Sequence, residues 1–411
     1  MMFRKGVTST LSLLMAVAAV VLMSPSLVRQ AWLVNAWSVQ YTRHAFVPAA
    51  KQSVLAIPPT GHARAVFWLA SDALQSGNPG LAETLIASQA VRGDQFALHL
   101  MAGARLAEGN FAGAVAIWQQ AGDLDSLLRA AAQAQQAGHL EEALMAYAAG
   151  WKLDSEAGTL PLANFLLNYR QDYGGAENVL RQSLAAFPNS WYWPAWSRCL
   201  GDVLRDQKRW DEAATAYENT IVKTPDDWAA HIGLGWARYE HGDSLQAAIS
   251  AFQEAIHIPE SQGNGQLAIA QVLTREKQYE EADAWYVQAL ALNPSAQWWY
   301  VYRGDAAWQA GNLALALAVY QETVARFPEF GFAYYQIAYA CQLNGQTAQA
   351  IAAIDRALAL MAPPNADYYV RAGSIYEWAG DKSRALHAYR QALLIDPQNA
   401  AAFENVQRLD K

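Results

Sequence analysis

The sequence predicts an all-α solenoid of about ten helix–turn–helix repeats, preceded by one N-terminal apolar helix. Three observations carry this. Turn glycines and terminating prolines recur at a step of about 34 residues, the self-similarity of a stacked repeat. The stretches between them place apolar residues at helical spacing. No stretch alternates apolar and polar residues as a half-buried strand would.

The clearest repeat is the last, GDKSRALHAYRQALLIDP, residues 380–397. Ala385, Leu386, Tyr389, Ala392 and Leu393 fall on one helical face, while His387, Arg390 and Gln391 face elsewhere. Gly380 suits the preceding turn, and Pro397 cannot continue the helix. The segment from Asp367 to Ala379 has the same helical pattern, so the two read as an antiparallel pair. One such pair cannot bury its apolar faces on both sides and needs neighbours.

Those neighbours are present. Gly242, Gly311, Gly345 and Gly380 mark successive turns, with Lys277 in the same place between the first two. Pro188, Pro225, Pro259, Pro294, Pro328 and Pro397 keep nearly the same step. The second helices read DEAATAYENTIVKTP, EEADAWYVQALALNP, ALALAVYQETVARFP and SRALHAYRQALLIDP. Each carries an alanine, an aromatic one turn on and a small residue after that. EEALMAYAAGWKLDS and GGAENVLRQSLAAFP are looser copies, and those around Gly77 and Gly109 are shorter still.

This series resembles the tetratricopeptide repeat family. The last copy supplies the family's large residue, small pair, aromatics, alanines and proline as Tyr369, Ala372-Gly373, Tyr376, Ala385, Tyr389, Ala392 and Pro397. The preceding copy keeps Tyr334, Ala338, Ala350 and Ala357, but Ile354 replaces an aromatic and Cys341 stands where Tyr376 does. In the copy ending at Pro259 the step from Gly242 to Ala248 is one residue longer. The resemblance implies a right-handed α-solenoid over residues 62–397. Residues 398–411 then form a capping helix, with Phe403 and Val406 covering the last apolar face. Glu404, Arg408, Asp410 and Lys411 would face water.

At 53% hydrophobic and 16% charged, the chain can bury a long continuous seam. A net charge of −8 argues against a nucleic-acid partner, which needs a basic footprint. Cys199 and Cys341 lie about four repeats apart, too far to pair in a stacked solenoid, and read as buried small hydrophobes.

Residues 1–30 read as a membrane segment. Arg4 and Lys5 precede a mostly apolar span, Val7 to Met23, and no further charge appears until Arg29. An uncleaved signal anchor and a cleaved signal peptide both fit; Ser24-Pro25-Ser26 is a poor cleavage site. Either reading puts the repeats on the extracytoplasmic side, as a single-pass membrane protein or a secreted one. Residues 31–61 follow as a juxtamembrane segment, with Trp32, Trp37 and Tyr41 at the interface or in an early helix. Ile57 to Gly61 is the hinge into the solenoid.

Catalytic patterns are missing. There is no His-Glu-x-x-His helix, P-loop or Gly-x-Ser-x-Gly, so neither enzymatic activity, cofactor nor metal is expected. Gly233-Leu234-Gly235 lacks the rest of a dinucleotide fingerprint and reads as a repeat's packing pair. The histidines are scattered; His257 and His387 sit on second helices as solvated or packed side chains.

Binding is the expected role. By resemblance, one face of each first helix lines the inner concave surface. On this chain that face carries Trp236, Tyr239, Trp298, Trp308, Phe332, Tyr335, Tyr339 and Trp378, interrupted by Gln271, Thr274 and Arg275. Upstream, Arg198, Asp202, Arg205 and Asp206 give mixed charge, and the family's Lys-Asn-Arg set for a terminal carboxylate is not found. The aromatics either form a binding groove or pack between repeats; Tyr300, Tyr334 and Tyr369 fall at core positions and need no function. The reading is a membrane-anchored scaffold that holds a protein or peptide in the concave groove. The alternative is a glycan-binding component of envelope polysaccharide assembly, with Asp305 and Gln309 beside Trp308 contacting sugar.

Overall fold

The computed structural model describes residues 63–90, 94–361 and 365–410. The expectations for residues 1–62, a membrane segment and a hinge, lie outside them. Among the described residues there are 21 α-helices and no strand, and no helix is long and apolar enough to cross a membrane.

The chain divides into two units at Val203/Leu204. In the first, α1 (Ala63–Gln75) pairs with α2 (Pro79–Ala90) and α3 (Gln95–Ala107) with α4 (Phe111–Ala121). Then α5 (Leu124–Gln136) pairs with α6 (Leu140–Leu153), and α7 (Ser155–Phe165) with α8 (Tyr173–Ala186). Helix α9 (Trp193–Asp206) contains the division, and α10 (Trp210–Lys223) follows it. In the second unit α11 (Trp228–His241) pairs with α12 (Leu245–Ile256), and α13 (Asn264–Arg275) with α14 (Tyr279–Leu292). Three more pairs are α15 (Gln297–Gln309) with α16 (Leu313–Arg326), α17 (Gly331–Leu343) with α18 (Thr347–Leu360), and α19 (Ala366–Trp378) with α20 (Lys382–Ile395). Helix α21 (Ala400–Leu409) packs on α20.

Each turn is fixed locally. Gly242, Gly311, Gly345 and Gly380 all adopt φ between 73° and 96°, the left-handed region that glycine enters freely. Lys277 takes φ 61° at the same place, and so does Lys208 between α9 and α10. Asp and Asn side chains then cap the next helix: Asn312 accepts from Leu315 N–H and Asp381 from Arg384 N–H. The longer turn after Gly242 is absorbed by Asp243, so that Ser244 caps α12. Pro259 opens a short 3-10 turn, Pro259–Ser261.

The second-helix aromatics are the centre of the packing. Tyr217, Tyr286, Tyr320 and Tyr389 are each at most 2% exposed, and Ile354 fills the same place at 0%. Each such side chain contributes roughly 1.5–3 kcal/mol by leaving water. First-helix glycines make room for the rings. A Cβ on Gly373 would lie 2.6 Å from the Tyr389 ring, and one on Gly304 would strike Tyr320. Gly233 and Gly235 meet Tyr217 and Phe252 in the same way, so that Gly-Leu-Gly is a packing motif.

The looser copies of the first unit carry irregular helices. Pro161 lies inside α7, which continues as a π-turn, Leu166–Arg170, ending at left-handed Gln171. Cys199 and Cys341 are both buried and unpaired, and burial pushes the Cys199 thiol up to about 12.

The cap differs from expectation in one residue. Phe403 is 53% exposed, and α21 is seated instead through Ala402, Val406 and Leu409. These three share a helical stripe that Phe403 leaves by one residue. Arg408 does reach outward, but onto the Glu377 carboxylate, which it holds below the usual range.

Candidate binding surface

The first helices of the second unit place their aromatics against one another. Trp298, in the first turn of α15, meets Phe330 edge-on at 4.9 Å and Phe332 at 5.1 Å between ring centres. Phe332 stacks on Tyr335 at 5.8 Å, and Tyr335 meets Tyr368 of α19 edge-on at 5.0 Å. Near the other end of α15, Trp308 stacks on Tyr339 at 4.9 Å. The contacts of Trp298 with Phe330 and Phe332, of Tyr335 with Tyr368 and of Trp308 with Tyr339 cross from one repeat to the next, whereas Phe332 and Tyr335 meet within α17.

The rings are neither fully packed nor fully free. Trp298 remains 45% exposed, and Trp308, Phe332, Tyr335, Tyr339 and Tyr368 are half-buried. Trp378 is 41% exposed and makes no ring contact among the described residues. Arg371 of α19 closes the cluster. Its guanidinium lies 3.9 Å from the Tyr339 ring centre, over the ring face. Its Nε donates to the Tyr335 hydroxyl at 3.3 Å.

A second cluster lies on α11 and α13. Trp236 meets Tyr239 edge-on at 6.0 Å. The Arg275 guanidinium sits 4.7 Å over Trp236 and pairs with Glu240. Tyr239 donates to Glu276 at 2.7 Å, and burial together with that carboxylate pushes its hydroxyl up to about 12. Arg275 therefore does not interrupt the aromatic face; it extends it, because a guanidinium packs flat on an indole. Of the other two expected interrupters, Thr274 is buried and donates to Ala270 O at 2.8 Å, while Gln271 lines the clefts.

Two clefts open here. One of about 430 Å³ is bordered by Arg205, Lys208, Trp210, Trp236 and Arg275. The other, about 270 Å³, is bordered by Gln271, Arg275, Tyr302, Asp305 and Gln309. Asp305 is not a free sugar-binding group beside Trp308. It accepts from the Tyr320 hydroxyl at 2.5 Å and from Gln336 Nε2 at 2.7 Å. Burial raises its carboxyl above the ordinary range.

Tyr368, Phe330 and Arg371 are not among the residues the sequence predicts for this face. Phe330 precedes its helix, Tyr368 stands beside the core residue Tyr369, and Arg371 lies one residue past Val370. The signal for them is side-chain length: large groups beside a face reach over it.

The geometry defines a helical-repeat protein with an aromatic first-helix surface. Sequence models of the tetratricopeptide repeat match residues 200–265, 267–330, 333–360 and 366–399. These stretches are similar to the tetratricopeptide repeat, and proteins built from that repeat generally bind other proteins. Several solved structures are similar. A tetratricopeptide repeat protein from Parabacteroides merdae is 16% identical, covering 62% of this chain and 98% of its own, with TM-score 0.42. The C-terminal part of a repeat protein from Cytophaga hutchinsonii is 18% identical over 59% and 98%, with TM-score 0.44. Yeast Tom70 is 12% identical over 86% and 89%, with TM-score 0.45. No curated protein matches the chain.

Proposed function

We propose that this protein is a non-enzymatic scaffold that holds a partner polypeptide along the first-helix surface of its second unit. The observation that carries the reading is the ring-to-ring run from Trp298 through Phe332 and Tyr335 to Tyr368, part-exposed throughout. Part-exposed aromatic patches are the anchors that interfaces bury. A peptide laid across the first helices α15, α17 and α19 meets a new ring in each of these repeats.

The apolar span Val7 to Met23 would tether the scaffold to a membrane with its repeats extracytoplasmic. Carbonate extraction of membranes tests the tether: an anchored chain stays in the pellet.

Binding is tested by pull-down from detergent-solubilised membranes, comparing the intact chain with Trp298→Ala/Trp308→Ala/Tyr339→Ala. Loss of a specific protein from a variant whose circular dichroism and melting are unchanged supports the scaffold. Loss of glycan alone, or equal capture by both chains, refutes it.

A further inference from the structure

We infer that Arg371 is the anchor for an acidic side chain of the partner, set among rings that take the apolar residues beside it. The inference rests on the reading that this surface binds a polypeptide, and it names the chemistry of what is bound.

Every other arginine of the second unit lies within ion-pair distance of a carboxylate. Arg275 has Glu240, Arg303 has Asp283, Arg384 has Asp381 and Arg408 has Glu377. Arg371 has none among the described residues. Its neighbours are two phenol side chains: the Tyr339 ring beneath its face and the Tyr335 hydroxyl on Nε. The chain carries 37 acidic against 29 basic residues, so carboxylates were not in short supply.

The guanidinium is also half-buried and fixed in direction. Phenols orient it but leave its charge uncompensated. A carboxylate arriving on the remaining N–H groups makes charge-assisted, two-point hydrogen bonds in a site already shielded by rings. Around it, Phe332, Tyr335 and Tyr368 supply apolar edges within one repeat's reach. The occupant that fits is a segment with Asp or Glu next to a large apolar side chain.

The test is a displayed library of random short peptides panned on the full chain in detergent, followed by a synthetic pair. The pair is an enriched peptide and its analogue with the acid replaced by its amide. The wild-type chain should enrich acid-plus-apolar peptides and bind the acidic member about tenfold or more tightly, the advantage fading at high salt. Arg371→Gln should bind both members alike. Arg371→Lys, which keeps charge but loses the flat stack and the fork, should fall between.

Enrichment without acidic bias, or an acidic preference that survives in a folded Arg371→Gln chain, overturns the inference. So does self-association of the wild-type chain that Arg371→Gln abolishes, since the occupant is then a second copy. The peptide pair on the wild-type chain needs no variant to fold. Trp298→Ala/Phe332→Ala separates the two readings. Acidic peptides that need Arg371 but ignore the rings sink the surface reading, and with it the apolar half of this inference. Peptides that need the rings but ignore the acid sink this inference alone.

Discussion

The Tyr320 hydroxyl donates to the Asp305 carboxylate at 2.5 Å, tying the second helix of one repeat to its own first helix. Gln336 of the next repeat donates to the same oxygen at 2.7 Å. Tyr320 is 1% exposed, so Tyr320→Phe keeps the packing and removes one donor from a half-buried acid. The expected cost is about 1–3 kcal/mol, read by urea unfolding followed by circular dichroism. An unchanged midpoint would mean the bond contributes nothing net.

The same carboxylate sets a pH dependence. Burial raises its folded-state pKa above the unfolded value of about 3.9. The folded chain therefore holds the proton more tightly. That stability is complete below the unfolded value and is lost as pH rises through the raised folded one. Asp305→Asn removes this titration while keeping an acceptor for Tyr320. The unfolding free energy of wild type relative to Asp305→Asn should fall between about pH 4 and the raised value, then level off. A flat difference across that range would contradict the burial argument.

The glycines beneath the tyrosines make a steric prediction. Gly304→Ala and Gly373→Ala each push a methyl group into a buried ring, at Tyr320 and Tyr389. Overpacking of this kind costs about 1–3 kcal/mol, more than the gain in helix propensity returns. Thermal melting should show both variants less stable than wild type, and a rise in Tm would be inconsistent with the packing described.

Lys277 offers the opposite sign. It holds φ 61° where the other repeats use glycine. Lys277→Gly relieves a left-handed backbone strain of about 1–2 kcal/mol, offset in part by glycine's greater unfolded freedom. The net expectation is a gain of roughly 0.5 kcal/mol, measurable as a higher denaturation midpoint.

Much of this is legible in the residues. Gly380, Pro397 and the Ala385–Tyr389–Ala392 stripe mark one helix pair, and their recurrence gives the stack. Period alone identifies Lys277 as a turn residue, despite its chemistry. The binding face is partly legible. The resemblance places Trp298, Phe332 and Tyr335 on one surface, and their rings meet there. Arg275 reads as a break because helical position says nothing of a long side chain lying back on Trp236. Arg371 escapes notice for the same reason. Phe403 fails as a cap because a large apolar side chain attracts the assignment, whereas the stripe runs through Ala402, Val406 and Leu409.

The central claim is that partners lie on the first-helix aromatic face of the second unit. Photo-cross-linking tests it most directly. A benzophenone side chain is placed at Trp298 or Trp378 on first helices, or at Val222 or Leu394, which are 81% and 74% exposed on second helices. Irradiation in cells that make the protein should join a partner polypeptide to the first-helix sites and not to the second-helix ones. Cross-links confined to Val222 and Leu394, or none at Trp298, would contradict the account.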